Sequence, residues 1–356
     1  MELYETWTEH IKENKPYVLY KKPGQHKVTG LFQRDSTLHL VEHFKESGFV
    51  LAPFYEGVRF YIPLGESHRM EGELLEEKFT YGAFELAYEQ QPGKQHFEQL
   101  VQRCVQAIKA GAFEKVVPSR KEVLDLPGQD VEIQALFSKL VVAYPEAFCY
   151  VIYHPFVGLW MGATPETLVE LEGHKLRTMA LAGTQVNHGK DEVFWGDKER
   201  EEQQYVTDFI VEKLQPISKH MEVSPPFTKR AAKVMHICTS IEAQLKEVNL
   251  GAIVDALHPT PAVCGMPKSS TRDFLLQEEG YARKYYAGYL GELNYTKQGE
   301  DALTTASSLF VNLRCMEVES QQVNLYIGCG VTEDSDPTSE FVETVNKSTT
   351  MKKILF

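Results

Sequence analysis

Two pairs of glutamates carry the same E-x-x-E spacing: Glu199 with Glu202, and far down the chain Glu340 with Glu343, the second pair followed by Lys347. Residues three and four apart share one face of a helix, so each pair presents its carboxylates side by side. Neighbouring carboxylates repel unless a cation lies between them, and a hard divalent ion bound through oxygen is the chemistry they suit. Lys347, one turn beyond Glu343, is placed to meet an anion. A single string of this kind is ordinarily a solvated charged face. Two such strings, one of them on a face that should be buried, point to a shared cation site.

The elements that must carry these acids are legible. Asp336 followed by Pro337 reads as a helix start, the aspartate as N-cap and the proline at the first helical position. Asp197 is expected to cap a second helix running to about Leu214, with Tyr205, Val206, Phe209, Ile210 and Leu214 as its apolar stripe. Extending that stripe backwards by three and four lands on Glu202 and Glu199. Acids on a buried face need a partner.

The chain has 356 residues, 43% of them hydrophobic, enough for a large core, and a formal net charge of −13. That charge argues against nucleic acid as a partner, and an anionic substrate needs a local positive site. The cysteines Cys104, Cys149, Cys238, Cys264, Cys315 and Cys329 are scattered without a CxxC pair, so neither a zinc ribbon nor a disulfide framework is indicated. No signal peptide or membrane span is recognisable, and a cytoplasmic protein with no membrane partner is the simplest expectation.

Read in order, Glu2 to Glu13 suits a short helix, and the rest of residues 1–93 reads as short strands and turns, a β-rich portion packed on the main domain. Phe97 to Ile108 is periodic as a helix stopped by Gly111. Lys115 to Arg120 looks like one strand and Val131 to Tyr144 like a helix. Phe148–Tyr153, Val157–Ala163, Thr167–Leu171 and Lys175–Ala182 follow as strands separated by turns, the mark of antiparallel sheet. A helix is expected around Ile241 to Gly251. Leu257 to Pro267, with three prolines, suits a shaped loop over a pocket. A helix over Ser270–Gly280 then leads to strands over Tyr285–Leu293, Ser307–Val318 and Val323–Val331. Nothing divides residues 94–356, which read as one α+β domain.

The strings KVVPSR (115–120), GATPE (162–166), LAGT (181–184), HPTPAVCG (258–265), YAGYLG (286–291), GCGV (328–331) and the closing E-x-x-E-T-x-N-K resemble the chorismate-utilising enzymes. That family includes isochorismate synthase, salicylate synthase, anthranilate synthase component I and aminodeoxychorismate synthase component I. The resemblance implies a large two-layered antiparallel β-sheet core flanked by helices, a chorismate pocket and Mg²⁺ held by Glu199, Glu202, Glu340 and Glu343. Gln203 stands where many members have histidine. Arg314, expected in a strand from Phe310 to Cys315, and the amides of Gly328 and Gly330 would bind substrate carboxylate, with Lys347 nearby and Thr184 and His236 at the pocket edge. A guanidinium suits this because it can donate two hydrogen bonds to one carboxylate.

The members differ in what attacks the ring. Lys115 matches the general base that activates water in isochorismate and salicylate synthases, and a lysine so used must be neutral part of the time, through desolvation or cationic neighbours. Ala182 stands where aminodeoxychorismate synthases carry lysine. Glu166 matches the general acid for the departing C4 hydroxyl. Ala262 resembles isochorismate synthases, whereas Tyr286 resembles salicylate synthases. The resemblance therefore implies the isochorismate synthase reaction, with salicylate synthase as the alternative and no amidotransferase subunit; a monomer is expected, although nothing in the sequence fixes the oligomeric state.

Overall fold

The computed structural model describes all residues except Met1, 74–78, 80, 82–87, 89–90, 92, 127–130, 187–193, 232–233 and 299–302. Two antiparallel sheets face each other. The first runs in spatial order β6 (Ser67–Glu73), β2 (Lys27–Gln33), β1 (Tyr17–Lys21), β9 (Phe148–His154), β10 (Gly158–Thr164), β19 (Cys315–Val318), β20 (Gln322–Gly328) and β8 (Ser119–Asp125). The second runs β13 (Ser218–Val223), β15 (Val234–Leu245), β12 (Lys175–Val186), β11 (Thr167–Glu172), β18 (Leu303–Val311), β17 (Tyr289–Gln298), β4 (Gly48–Ala52), β5 (Phe60–Pro63) and β3 (His39–Leu40), with β14 (Phe227–Ala231) also on β15. A small ribbon pairs β7 (Lys115–Val116) with β16 (Gly265–Met266). The helices are α1 (Glu2–Lys12), α2 (Lys94–Lys109), α3 (Ile133–Ala143), α4 (Asp197–Leu214), α5 (Leu250–Leu257), α6 (Lys268–Glu278) and α7 (Pro337–Leu355).

Strand alternation explains why the first sheet is buried on both sides. In β9, Phe148, Tyr150 and Ile152 enter the core between the sheets. Cys149 and Val151 face the other way, into a second core with Trp7 of α1, Phe137 and Leu140 of α3 and Ile354 of α7. Strands from the first 73 residues complete both sheets: β1 lies between β2 and β9, and β4 pairs with β17.

The structure corrects several expectations. Lys115–Arg120 is two strands, because the chain leaves the ribbon at Val117-Pro118 before joining the first sheet at Ser119. Ser307–Val318 is likewise two strands, and Arg314 lies in the turn between them at φ 49°, not in a strand from Phe310 to Cys315. Tyr285–Gly288 precedes β17 as a turn. Ile241–Leu245 belongs to the long strand β15, flanked on both sides by partners, and the helix begins only at Leu250, where Asn249 accepts a hydrogen bond from Ala252 N. Gly196 is the N-cap of α4 and Asp197 its first residue. At α7 the expected cap stands: Asp336 accepts from Ser339 N, and Pro337 is in the first turn.

One buried ion pair ties three site-bearing segments together. Arg283 donates from Nε to Glu279 Oε2 at 2.8 Å, from Nη1 to Val263 O at 2.8 Å and from Nη2 to Val117 O at 2.6 Å. Glu279 Oε1 in turn accepts from Ser119 N at 2.7 Å. Arg283→Met would strand a buried carboxylate and is expected to cost about 3–5 kcal/mol, read by urea unfolding. Replacing Glu279 by leucine in the same chain should restore part of that loss, and a single variant within 1 kcal/mol of wild type by roughly that scale would contradict the role.

Candidate active site

The chain passes twice between the sheets at one place. From β10 it crosses through Pro165-Glu166 into β11, and from β18 it crosses back through Asn312-Leu313-Arg314 into β19. The crossings lie side by side: Ala163 N donates to Arg314 O at 3.1 Å, and Val311 N donates to Glu166 O at 3.0 Å. Sequence-distant Glu166 and Arg314 thereby reach one chamber. Also lining it are Thr184 of β12, His236 of β15, Ala262 of the proline-rich loop, Tyr286, Gly328, Gly330, Lys347 and Glu202. All the residues expected to bind substrate therefore converge.

Lys115 is fully buried, and its Nζ lies 3.0 Å from Glu202 Oε1 without a well-aligned hydrogen bond. The ribbon that holds it demands glycine at 265, where φ is +142° and a Cβ would lie 2.3 Å from Lys115 O. Gly330 is required for a different reason. A Cβ there would stand 2.2 Å from Glu202 Oε1 and 3.3 Å from Lys115 Cε, so only a bare backbone lets both side chains in. Cys329 N and Val331 N donate to Pro118 O and Val116 O, while the Gly330 N–H has no backbone acceptor among the described residues.

Three of the four acids are met by a lysine, Glu202 by Lys115 as above. Lys347 Nζ lies 2.6 Å from Glu343 Oε1 and donates to Gly328 O at 3.0 Å, and Lys198 Nζ lies 2.6 Å from Glu340 Oε1. Burial acts to raise the Glu202 carboxyl, but Lys115, Lys347 and Lys198 outweigh it and hold it below the usual range. Glu340 is pushed up by burial and by the charge of Glu343, against Lys198. Glu199 stands apart: its Oε2 lies 2.8 Å from where a Cβ on Gly196 would be, turned to its own first turn. Among the described residues, the metal-ligating side chains that converge within 4.8 Å are Asp35, His39 and Glu66, elsewhere on the fold. The oxygen donors of Glu202, Glu340 and Glu343 have the chemistry that suits a hard divalent ion, and the bare backbone at Gly330 is what admits the Glu202 carboxylate. Lys198 was missed in the sequence, although it sits four before Glu202 on the same helix face.

Glu166 is 3% exposed, and burial lifts its carboxyl to about 7 against the opposing charges of Lys229, Lys115 and Arg314. His236 is held neutral, well below its ordinary value, by burial and by Arg314. Arg314 Nη2 is a donor, so at 3.3 Å it fixes His236 Nε2 as acceptor, and Nδ1–H then donates to Gly183 O at 3.0 Å. The imidazole thus orients the guanidinium.

Comparisons with known proteins agree with this geometry. A salicylate biosynthesis isochorismate synthase of Pseudomonas aeruginosa is 32% identical over 272 residues, covering 74% of this chain and 55% of the relative. The isochorismate synthase MenF of Escherichia coli is 30% identical over 276 residues, covering 74% of this chain and 61% of the relative. The chain thus spans between half and two thirds of the length of these relatives. The solved structure of the menaquinone-specific isochorismate synthase MenF of Escherichia coli superposes with a TM-score of 0.78 at 21% identity, over 96% of this chain and 89% of that one, and shows the same fold. Among the described residues no helix is long and apolar enough to cross a membrane. The family model described as chorismate binding enzyme matches residues 66–356, so the chain belongs to the chorismate-binding enzyme family.

Proposed function

We propose that this protein is an isochorismate synthase, an isomerase that converts chorismate to isochorismate. The observation that carries the reading is the meeting in one site of a buried acid lifted to about 7, Glu166, with the buried amine Lys115 and the carboxylate-binding cations Arg314 and Lys347. Water attacks C2 of the ring as Lys115 takes its proton. The C1–C2 and C5–C6 double bonds shift to C1–C6 and C4–C5, and the C4 hydroxyl leaves as water with the proton of Glu166. Arg314 and Lys347 supply the charge that a dicarboxylate needs, and the pyruvyl ether survives.

Glu202, Glu340 and Glu343 would hold Mg²⁺, which when bound would supply positive charge for the ring carboxylate. Glu199 is a member of this set by sequence, and its turned-away carboxylate leaves it a supporting role. Water as nucleophile needs no amidotransferase, and we read the enzyme as a cytoplasmic monomer whose product feeds menaquinone or siderophore biosynthesis. Tyr286 in the chamber favours one second reading, salicylate synthase, in which the isochorismate formed then loses pyruvate; Ala262, in the same wall, favours the first.

Chromatography of the products from chorismate, with and without Mg²⁺, separates these readings. Isochorismate alone, lost on chelation, is the expected result, and stoichiometric salicylate with pyruvate would overturn it. Lys115→Gln and Glu166→Gln should each lower kcat by about 10²–10⁴ with the circular-dichroism spectrum unchanged. Glu166 must be protonated to act, so kcat should fall as pH rises through about 7. The same shift has a sign for stability: between its ordinary value and about 7 the folded state binds the extra proton, so stability is lost as pH rises across that window. Glu166→Gln should therefore be more stable than wild type at pH 8 by about 3 kcal/mol, with little gain at pH 4, in urea unfolding.

A further inference from the structure

The backbone around Glu166 is held at three points. The Glu166 N–H donates to Thr164 Oγ1 at 3.3 Å, its carbonyl accepts from Val311 N at 3.0 Å, and the preceding carbonyl, that of Pro165, accepts from Lys229 Nζ at 3.0 Å. Thr164 ends β10 and Val311 ends β18, whereas Lys229 reaches the crossing from β14 and brings a charge with it. The strand register puts it there. Lys229 lies opposite His236 of β15, and His236 lies opposite Thr184 of β12, so the three form one row on one face of the sheet. Thr184 and His236 line the chamber, while Lys229 stands behind its wall in a neighbouring cavity that also takes in Pro165 and Arg314. Glu146 and Arg230 line that cavity too, and Arg230 is partnered.

Four cations act on the Glu166 carboxyl against the burial that lifts it: Lys229 most, then Lys115 of β7, Arg314 of the second crossing and Lys347 of α7. Lys115 and Lys347 each stand beside a carboxylate, Glu202 of α4 at 3.0 Å and Glu343 at 2.6 Å, which cancels much of their field. Arg314 touches the neutral His236 and is the group that a substrate carboxylate would take. Lys229 touches uncharged groups among the described residues, the Pro165 carbonyl and Met179 Sδ at 3.4 Å. The other titratable neighbours add no charge: burial holds His236 neutral, lifts the Cys238 thiol of β15 to about 11 and raises the Tyr286 phenol.

We propose that Lys229 is a positioning residue for the acid Glu166: it pins the Pro165-Glu166 crossing through the Pro165 carbonyl and presents one positive charge to the buried carboxyl from behind the chamber wall. The role of Glu166 as the acid rests on the function proposed above; the contact and the charge do not. Burial alone makes a carboxyl hold its proton firmly, and a nearby ammonium favours the carboxylate that remains once the proton is given away. Lys229 supplies that charge without touching substrate, so the charge still acts when a substrate carboxylate has taken Arg314 and Lys347.

Three substitutions separate the charge from the pin. Lys229→Met loses both, Lys229→Gln keeps a donor for Pro165 O without the charge, and Lys229→Arg keeps both. In each folded variant two quantities are read across pH: the ionisation of the Glu166 carboxylic acid, by infrared difference against the same variant carrying Glu166→Gln, and kcat for chorismate at saturating Mg²⁺. In the wild type both should turn over at about 7. In Lys229→Met and Lys229→Gln, Glu166 should bind its proton about tenfold more tightly, moving both curves up by roughly one pH unit, while Lys229→Arg leaves them in place. Lys229→Met should also lose about tenfold in kcat on the low-pH plateau, a loss that Lys229→Gln is spared. A lysine that merely caps a carbonyl would leave the ionisation of Glu166 in Lys229→Gln at its wild-type position. That result, or an equal upward shift in Lys229→Arg, would overturn the charge role, and equal plateaus in Lys229→Met and Lys229→Gln would overturn the pin. Because the infrared titration needs no turnover, a chain that leaves chorismate unchanged would sink the proposed reaction and still decide the charge role of Lys229.

Discussion

Charge burial governs this structure. Lys115 has no exposed side-chain surface, and it stands beside Glu202, while Lys347 meets Glu343 and Lys198 meets Glu340. An isolated charge buried like Lys115 or Glu340 would shift its ionisation or unfold the region, since desolvation is costly and only a close partner offsets it. The lysines and acids therefore need each other for the fold. They also shape the chamber, since Glu202 and Lys347 are part of its wall.

The backbone makes this arrangement possible by crossing between the sheets twice at one point. Glu166 and Arg314 sit on adjacent crossings, joined by hydrogen bonds from Ala163 N to Arg314 O and from Val311 N to Glu166 O. Turns of this kind free side chains from the strict in-and-out alternation of a strand, so two titratable groups can point into the space between layers. The Arg283–Glu279 pair secures the remaining walls, reaching Val117, Ser119 and Val263 through hydrogen bonds rather than apolar packing. At Glu166 the burial that lifts the carboxyl to about 7 also costs folding free energy above that pH.

Much of the site was legible because its signals are local. The Asp336-Pro337 start of α7, the E-x-x-E spacing and the ordered motifs all lie within short windows, and Thr184, His236, Ala262, Tyr286, Arg314, Gly328, Gly330 and Lys347 do line one chamber. What failed depended on distant partners. Ile241–Leu245 looked helical because its apolar spacing fits either period, and only the strands on both sides of β15 settle it as sheet. Arg314 looked like a strand residue because nothing in Phe310–Cys315 announces a turn; the φ of 49° is imposed by the crossing.

The sequence by itself determined the antiparallel α+β class, the helices that carry the acids and the family. It did so because capping, periodicity and motif spacing are properties of neighbours in the chain. Tertiary structure alone decided that strands from the first 73 residues complete both sheets, and that Glu199 turns away while Lys198 joins Glu340. Those outcomes depend on which charges and backbone groups meet across hundreds of residues, where electrostatics and hydrogen-bond closure act through space and leave no periodic trace in the chain.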